Sequence, residues 1–147
     1  QSALIQMSKS YPAICLTIFF SIISVIHIYW AFGGEKGIRK AIPTNDGKPL
    51  FNPGTFSTLL IAVLLNFLSI LILEFADVID IDFIPKIFIK RMLLICAGFF
   101  LVRSIGDFKY AGFTKKIRNS PFAYWDTRLY SPIFLILSIV LAWFALK

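Results

Sequence analysis

Apolar residues fall in four long runs separated by polar segments, and this pattern frames every other reading of the chain. The first run, Tyr11 to Phe32, carries no ionisable side chain beyond its tyrosines, Cys15 and His27. The second, Phe56 to Ala76, is broken only by Asn66, two serines, one threonine and Glu74 near its end. The third extends from about Ile87 to Lys109, with Lys90 and Arg91 at one end and Arg103 and Asp107 at the other. The fourth covers Leu129 to Leu146. Were it to start at a Ser131 cap with Pro132 in first position, only about 24 Å of helix would remain. A start near Asp126 with a bend at Pro132 is therefore expected.

A hydrocarbon core of roughly 30 Å takes about 20 apolar helical residues to cross, and each run meets that length. The pattern thus predicts an all-α, integral membrane four-helix transmembrane bundle. It forms a single transmembrane domain over residues 1–147, with helices at about 11–32, 56–76, 87–109 and 126–146. Composition agrees, with 58% hydrophobic and 16% charged residues, outside the ordinary globular mix. A cleavable signal is discounted, because the first run is long and ends in bulky Tyr-Trp-Ala-Phe rather than small residues. Met7-Ser8-Lys9 reads as a natural start, so residues 1–6 stay outside the fold argument.

The loops divide the charge. Between helices one and two, residues 33–55 are rich in Gly-Gly, Asn-Asp-Gly and Asn-Pro-Gly turn formers. Between helices two and three, Asp77 to Pro85 is short and acidic, with Asp77, Asp80 and Asp82. Between helices three and four, residues 110–128 carry an aromatic-rich stretch. The net charge is +7. Lys36, Arg39, Lys40, Lys48, Lys109, Lys115, Lys116 and Arg118 lie on the side shared by loops 33–55 and 110–128, and Lys9, Lys86, Lys90, Arg91 and Lys147 lie on the other. By the positive-inside rule these two loops face the cytoplasm, and membrane lipid rather than nucleic acid is the partner that the basic charge implies. Cys15 and Cys96 sit inside spans with no CxxC or His/Cys cluster nearby, which predicts inert thiols and no cysteine-held metal.

Ionisable groups inside spans are costly and so become candidates for function. Ser24, His27 and Trp30 recur every three residues and share one helix face. Arg103 and Asp107, four apart in a helix running to Lys109, would meet as a charge pair, with Tyr110 one turn beyond. Counting from helix ends, His27, Arg103, Asp107 and Asp126 all lie toward the same membrane face. That predicts a polar pocket with Trp30 and Trp125 in its wall and Tyr110 and Tyr130 near its rim. Asn66 is deep enough to need an interhelical hydrogen bond, and Glu74 reads as an interfacial charge. No phosphate-loop, zincin or serine-hydrolase motif occurs, and neither cofactor nor metal is expected.

Three blocks occur in order: Tyr29-Trp30-Ala31-Phe32-Gly33-Gly34 after His27, Arg103-Ser104-Ile105-Gly106-Asp107-Phe108, and Phe122 to Pro132 (FAYWDTRLYSP). With them the chain resembles, over nearly its whole length, the membrane proteins grouped as domain of unknown function 3995. The resemblance implies a bacterial four-helix protein of the cell membrane and brings no established activity. Two functions remain open. One is a non-enzymatic protein binding a lipid, a small amphiphile or a partner protein in the pocket. The other is an intramembrane enzyme using His27 with Asp107 or Asp126 for proton transfer on a lipid-like substrate. The first asks for nothing beyond the sequence; the second lacks a nucleophile beside its histidine. A proton-coupled exporter ranks third, for want of a carboxylate in the first span.

Overall fold

The computed structural model describes residues 2–81 and 83–147, with side chains from Met7 onward. Asp82, counted above among the acidic loop residues, lies outside them. Four long helices account for most of the chain: α1 (Ser2–Ala31), α3 (Thr55–Phe75), α4 (Lys86–Ile105) and α6 (Ser131–Leu146). Two short helices, α2 (Ile38–Ala41) and α5 (Pro121–Trp125), lie in the loops. A π-helical turn, Asp126–Tyr130, joins α5 to α6, so that Pro121–Leu146 reads as one span. Together with Met7–Ala31 and Thr55–Phe75, this makes three stretches among the described residues that are long and apolar enough to cross a membrane. The remaining long helix, α4, has 20 residues but carries Lys86, Lys90 and Arg91 in its opening turns and Arg103 in its last. Basic side chains at helix ends keep their stems in lipid and their charges in the headgroup layer, so α4 completes the set of four expected helices. The protein is a membrane protein of all-α class.

The chain forms two compact units. The first comprises residues 1–33, 54–93 and 144–146. Its centre is the packing of α1 on α3, where the buried small residues Ala13, Ser24, Ala62 and Ser69 let two backbones approach closely. Asn66 Nδ2 donates to Ser24 Oγ at 2.6 Å and to the Ala62 carbonyl at 3.0 Å, while Ser24 Oγ donates to the same carbonyl at 3.1 Å. Asn66 thus makes the interhelical hydrogen bond its depth demands. At the end of α3, Glu74 is buried and meets Lys86 Nζ at 3.2 Å, while its other oxygen accepts the Ile81 amide at 2.9 Å. It joins the turn to the next helix and is more than an interfacial charge.

The second unit comprises residues 34–53, 94–143 and 147. Within it α2 packs on α5, and Thr44–Asn45 pairs antiparallel with Lys48–Pro49 across an Asp46-Gly47 turn. Both turn residues have positive φ, 48° and 78°, as the tightest hairpins need. The second half of α4 packs on α6 through Phe100 and Phe134, with ring centroids 5.6 Å apart, and Ser104 Oγ donates to the Ser131 carbonyl at 3.0 Å.

Two helix ends depart from the hydropathy reading. Helix α4 stops at Ile105 rather than continuing to Lys109, because Gly106 takes the left-handed conformation (φ 101°) and returns its N–H to the Val102 carbonyl at 2.8 Å. A Cβ there would lie 1.9 Å from the Ala111 carbonyl oxygen, so only glycine fits where the chain folds back on itself. The final helical run begins at Pro121, ahead of the expected Asp126. Ser120 supplies the N-cap, its Oγ accepting the Ala123 amide at 3.0 Å, with Pro121 in first position. Pro132 lacks an N–H and crowds the preceding turn, and the widened π turn lies immediately upstream of it.

Candidate functional site: a buried carboxylate with two cations

Asp126 is fully buried, and its hydrogen-bond partners belong with it to the second unit. Its Oδ1 accepts from Arg103 Nη2 at 2.9 Å. Its Oδ2 accepts from the Gly112 amide at 2.7 Å, Lys115 Nζ at 2.9 Å and Ser131 Oγ at 3.2 Å. Lys115 is itself buried and donates also to the Gly112 carbonyl at 2.8 Å. Arg103 lies with its guanidinium carbon 4.9 Å from the Phe134 ring centroid, a cation–π arrangement. One carboxylate therefore binds the end of α4, the loop after it and the start of α6.

The four-residue spacing of Arg103 and Asp107 counted on a helix that continues, and the helix ends between them. The expected Arg103–Asp107 pair is replaced by Arg103–Asp126. Asp107 instead organises the turn: its Oδ1 accepts the amides of Lys109 at 2.9 Å, Tyr110 at 2.7 Å and Ala111 at 2.9 Å. What burial it has pushes its pKa up, but these backbone bonds to the charged form outweigh that, and its carboxyl is held below the usual carboxylate range. The folded-back segment closes with the Phe113 amide on the Ser104 carbonyl at 2.9 Å and the Thr114 amide on the Ile105 carbonyl at 3.1 Å.

The other expected residues fall as follows. His27 and Trp30 belong to the first unit, with ring centroids 5.3 Å apart, and His27 Nδ1–H donates to the Ile23 carbonyl of its own helix at 2.8 Å. Trp125, in the second unit, has Lys40 Nζ 5.0 Å from its ring centroid and Tyr124 edge-on at 5.7 Å. Tyr130 stacks near Phe122 at 6.2 Å, and Tyr110 has Lys109 Nζ 5.0 Å from its ring. Lys115 and Ser131 are the partners of Asp126 that sequence reasoning missed, the first counted only as a loop charge and the second only as a possible cap. Among the described residues no group of three His, Cys, Asp or Glu side chains could hold a metal ion.

Comparison with known protein families decides the affiliation. The model of the family described as protein of unknown function (DUF3995) matches residues 20–141. The chain belongs to that family. No curated protein and no solved structure matches it. The family region contains Arg103, Gly112, Lys115, Asp126 and Ser131 together, so the whole carboxylate cluster lies within it.

Two outcomes follow from this geometry. Asp126→Ala strands two cations and is expected to cost about 3–5 kcal/mol, far more than Asp107→Ala on its exposed side chain. Adding Lys115→Met to Asp126→Ala should recover part of the loss in thermal unfolding in detergent, and equal Tm for the single and double variants would refute Lys115 as a partner. For Asp107 the folded pKa is depressed, so its contribution is fully present above the unfolded value of roughly 3.9 and is lost as pH falls through the folded one. Hydrogen exchange at Lys109, Tyr110 and Ala111 should accelerate over that range relative to Asp107→Asn, whose amide oxygen accepts at any pH. Identical profiles would show that the carboxylate does not hold the turn.

Proposed function

We propose that this chain is a non-catalytic, multi-pass protein of the bacterial cell membrane that binds a lipid or small amphiphile at its loop end. The observation that carries this reading is a polar cleft of about 380 Å³ in the second unit. Thr44, Asn45 and Asp46 of the hairpin line one side, and Lys116, Ile117, Arg118 and Asn119 the other. The second wall directly follows Lys115, whose two buried hydrogen bonds fix the backbone there. A recess that is open, polar and held by a rigid support suits recognition of a headgroup by contacts arranged in advance. A partner protein is the other occupant such a recess could take.

Local geometry does not favour the enzymatic alternative. Asp126 has both oxygens engaged with donors and no exposure, so it is poorly placed to exchange protons with a substrate. Asp107 spends one oxygen on three amides. His27 Nδ1–H donates to its own helix, which leaves Nε2 as the acceptor, but among the described residues no carboxylate is hydrogen-bonded to the ring. A general base needs free reach to the proton it takes.

Native mass spectrometry of the protein released from mild detergent is expected to show a retained amphiphile. Spectra holding only apo protein and detergent under several extraction conditions would refute the binding reading. The proposal also places loops 33–55 and 110–128 in the cytoplasm. In a variant without Cys15 and Cys96, a membrane-impermeant thiol reagent applied to whole cells should label Asp80→Cys and spare Lys48→Cys; the reverse pattern would invert the topology.

A further inference from the structure

We infer that the cleft between the 44–49 hairpin and residues 116–119 seats the phosphate of an anionic phospholipid headgroup. This rests on the proposed lipid-binding reading and names the chemical class of the ligand.

Charge is the first argument. Lys116 and Arg118 are exposed in the cleft wall, and among the described residues neither forms an ion pair. Arg118 uses only Nε, in a long 3.5 Å bond to the Lys115 carbonyl, so both terminal nitrogens remain for a ligand. Asp46 is the one acid in the lining, which leaves two cations against one anion. A guanidinium fork and an ammonium, beside the amides of Asn45 and Asn119 and the hydroxyl of Thr44, form a donor-rich set suited to phosphate oxygens.

Position is the second argument, and it selects a lipid over a soluble anion. The helical run Pro121–Leu146 has 26 residues, about 39 Å at 1.5 Å per residue, against a hydrocarbon core of roughly 30 Å. Its ends therefore enter the headgroup layer. Tyr124 and Trp125 in its first turns are the side chains that settle at that level, and Lys40 lies over Trp125. Residues 116–119 end with only Ser120 before this helix begins, so the cleft opens into the layer where lipid phosphates are concentrated. Lys115 turns inward to Asp126, and its neighbour Lys116 is left on the outer side.

The test measures lipid retention by native mass spectrometry, from mixed micelles offering phosphatidylglycerol and phosphatidylcholine of matched chains. The wild-type protein should retain phosphatidylglycerol preferentially. Lys116→Gln with Arg118→Gln should weaken that retention by about 30-fold, from the typical worth of two basic residues at a membrane surface. Lys90→Gln with Arg91→Gln, which removes the same charge from the start of α4, should leave it unchanged. Equal loss in both double variants would reduce the effect to net charge and overturn the site. Displacement of phosphatidylglycerol by millimolar inorganic phosphate would make the ligand a free anion and overturn the lipid assignment. Retention of an amphiphile without preference for the anionic headgroup would overturn this inference while leaving the binding reading intact, and retention of nothing would remove both.

Discussion

A carboxylate buried out of reach of water is tolerable only if its oxygens find donors, and the second unit is organised around meeting that condition for Asp126. Asp126 is fully enclosed, so the donors must come from the protein. They come from three places: Arg103 near the end of α4, Gly112 and Lys115 in the following loop, and Ser131 at the start of α6. The Gly112 and Lys115 contacts require that α4 stop in time for the loop to double back. The left-handed glycine at 106 and its close approach to Ala111 are thus requirements of the same cluster. Removing the carboxylate leaves two cations short of their partner, which is why the cluster acts as a unit rather than as separable contacts.

The turn between α3 and α4 uses the same device on a smaller scale. Glu74 is buried at the end of its helix, takes Lys86 from the start of the next, and accepts an amide from the connecting segment. Lys86 Nζ also reaches the Glu74 carbonyl and Asp77, the latter at 2.8 Å. In each turn a carboxylate near a helix end satisfies loop amides and a cation on a neighbouring element together. Such residues look catalytic when depth is the only criterion, because an ionisable group in a span is expensive whatever its purpose. Here both have their oxygens engaged with donors from the protein.

Hydropathy made the spans legible, since the cost of putting polar groups in lipid leaves four long apolar runs with little room for another arrangement. It also singled out Asn66, whose depth forces a hydrogen bond to a neighbouring helix, here through Ser24. What could not be read was where helices end and which residues the loops bring together. Gly106 within Ser-Ile-Gly-Asp-Phe passes for a tolerated helical glycine until its backbone is seen to be left-handed, and the i to i+4 pairing of Arg103 with Asp107 fails with the helix. Ser120-Pro121 and Ser131-Pro132 carry the same capping signal, yet only the first caps. The second lies inside a continuing helix that widens just before its proline. Lys115 joins Asp126 across a folded loop, a contact with no periodicity to announce it.

Lys115 and Lys116 show how that folding separates charges of one kind into two roles. As sequence they are an undifferentiated basic pair in a loop of the more positive side. In the fold the first is withdrawn from solvent and neutralised by Asp126, and the second stays exposed in the cleft wall with Arg118 two residues on. Flexible lysines at a membrane surface lose side-chain freedom when they bind a headgroup, and that loss opposes binding. A backbone already pinned at position 115 reduces the part of the loss that falls on the main chain. By holding Lys115, the buried carboxylate thereby leaves Lys116 and Arg118 as the exposed cations of this segment.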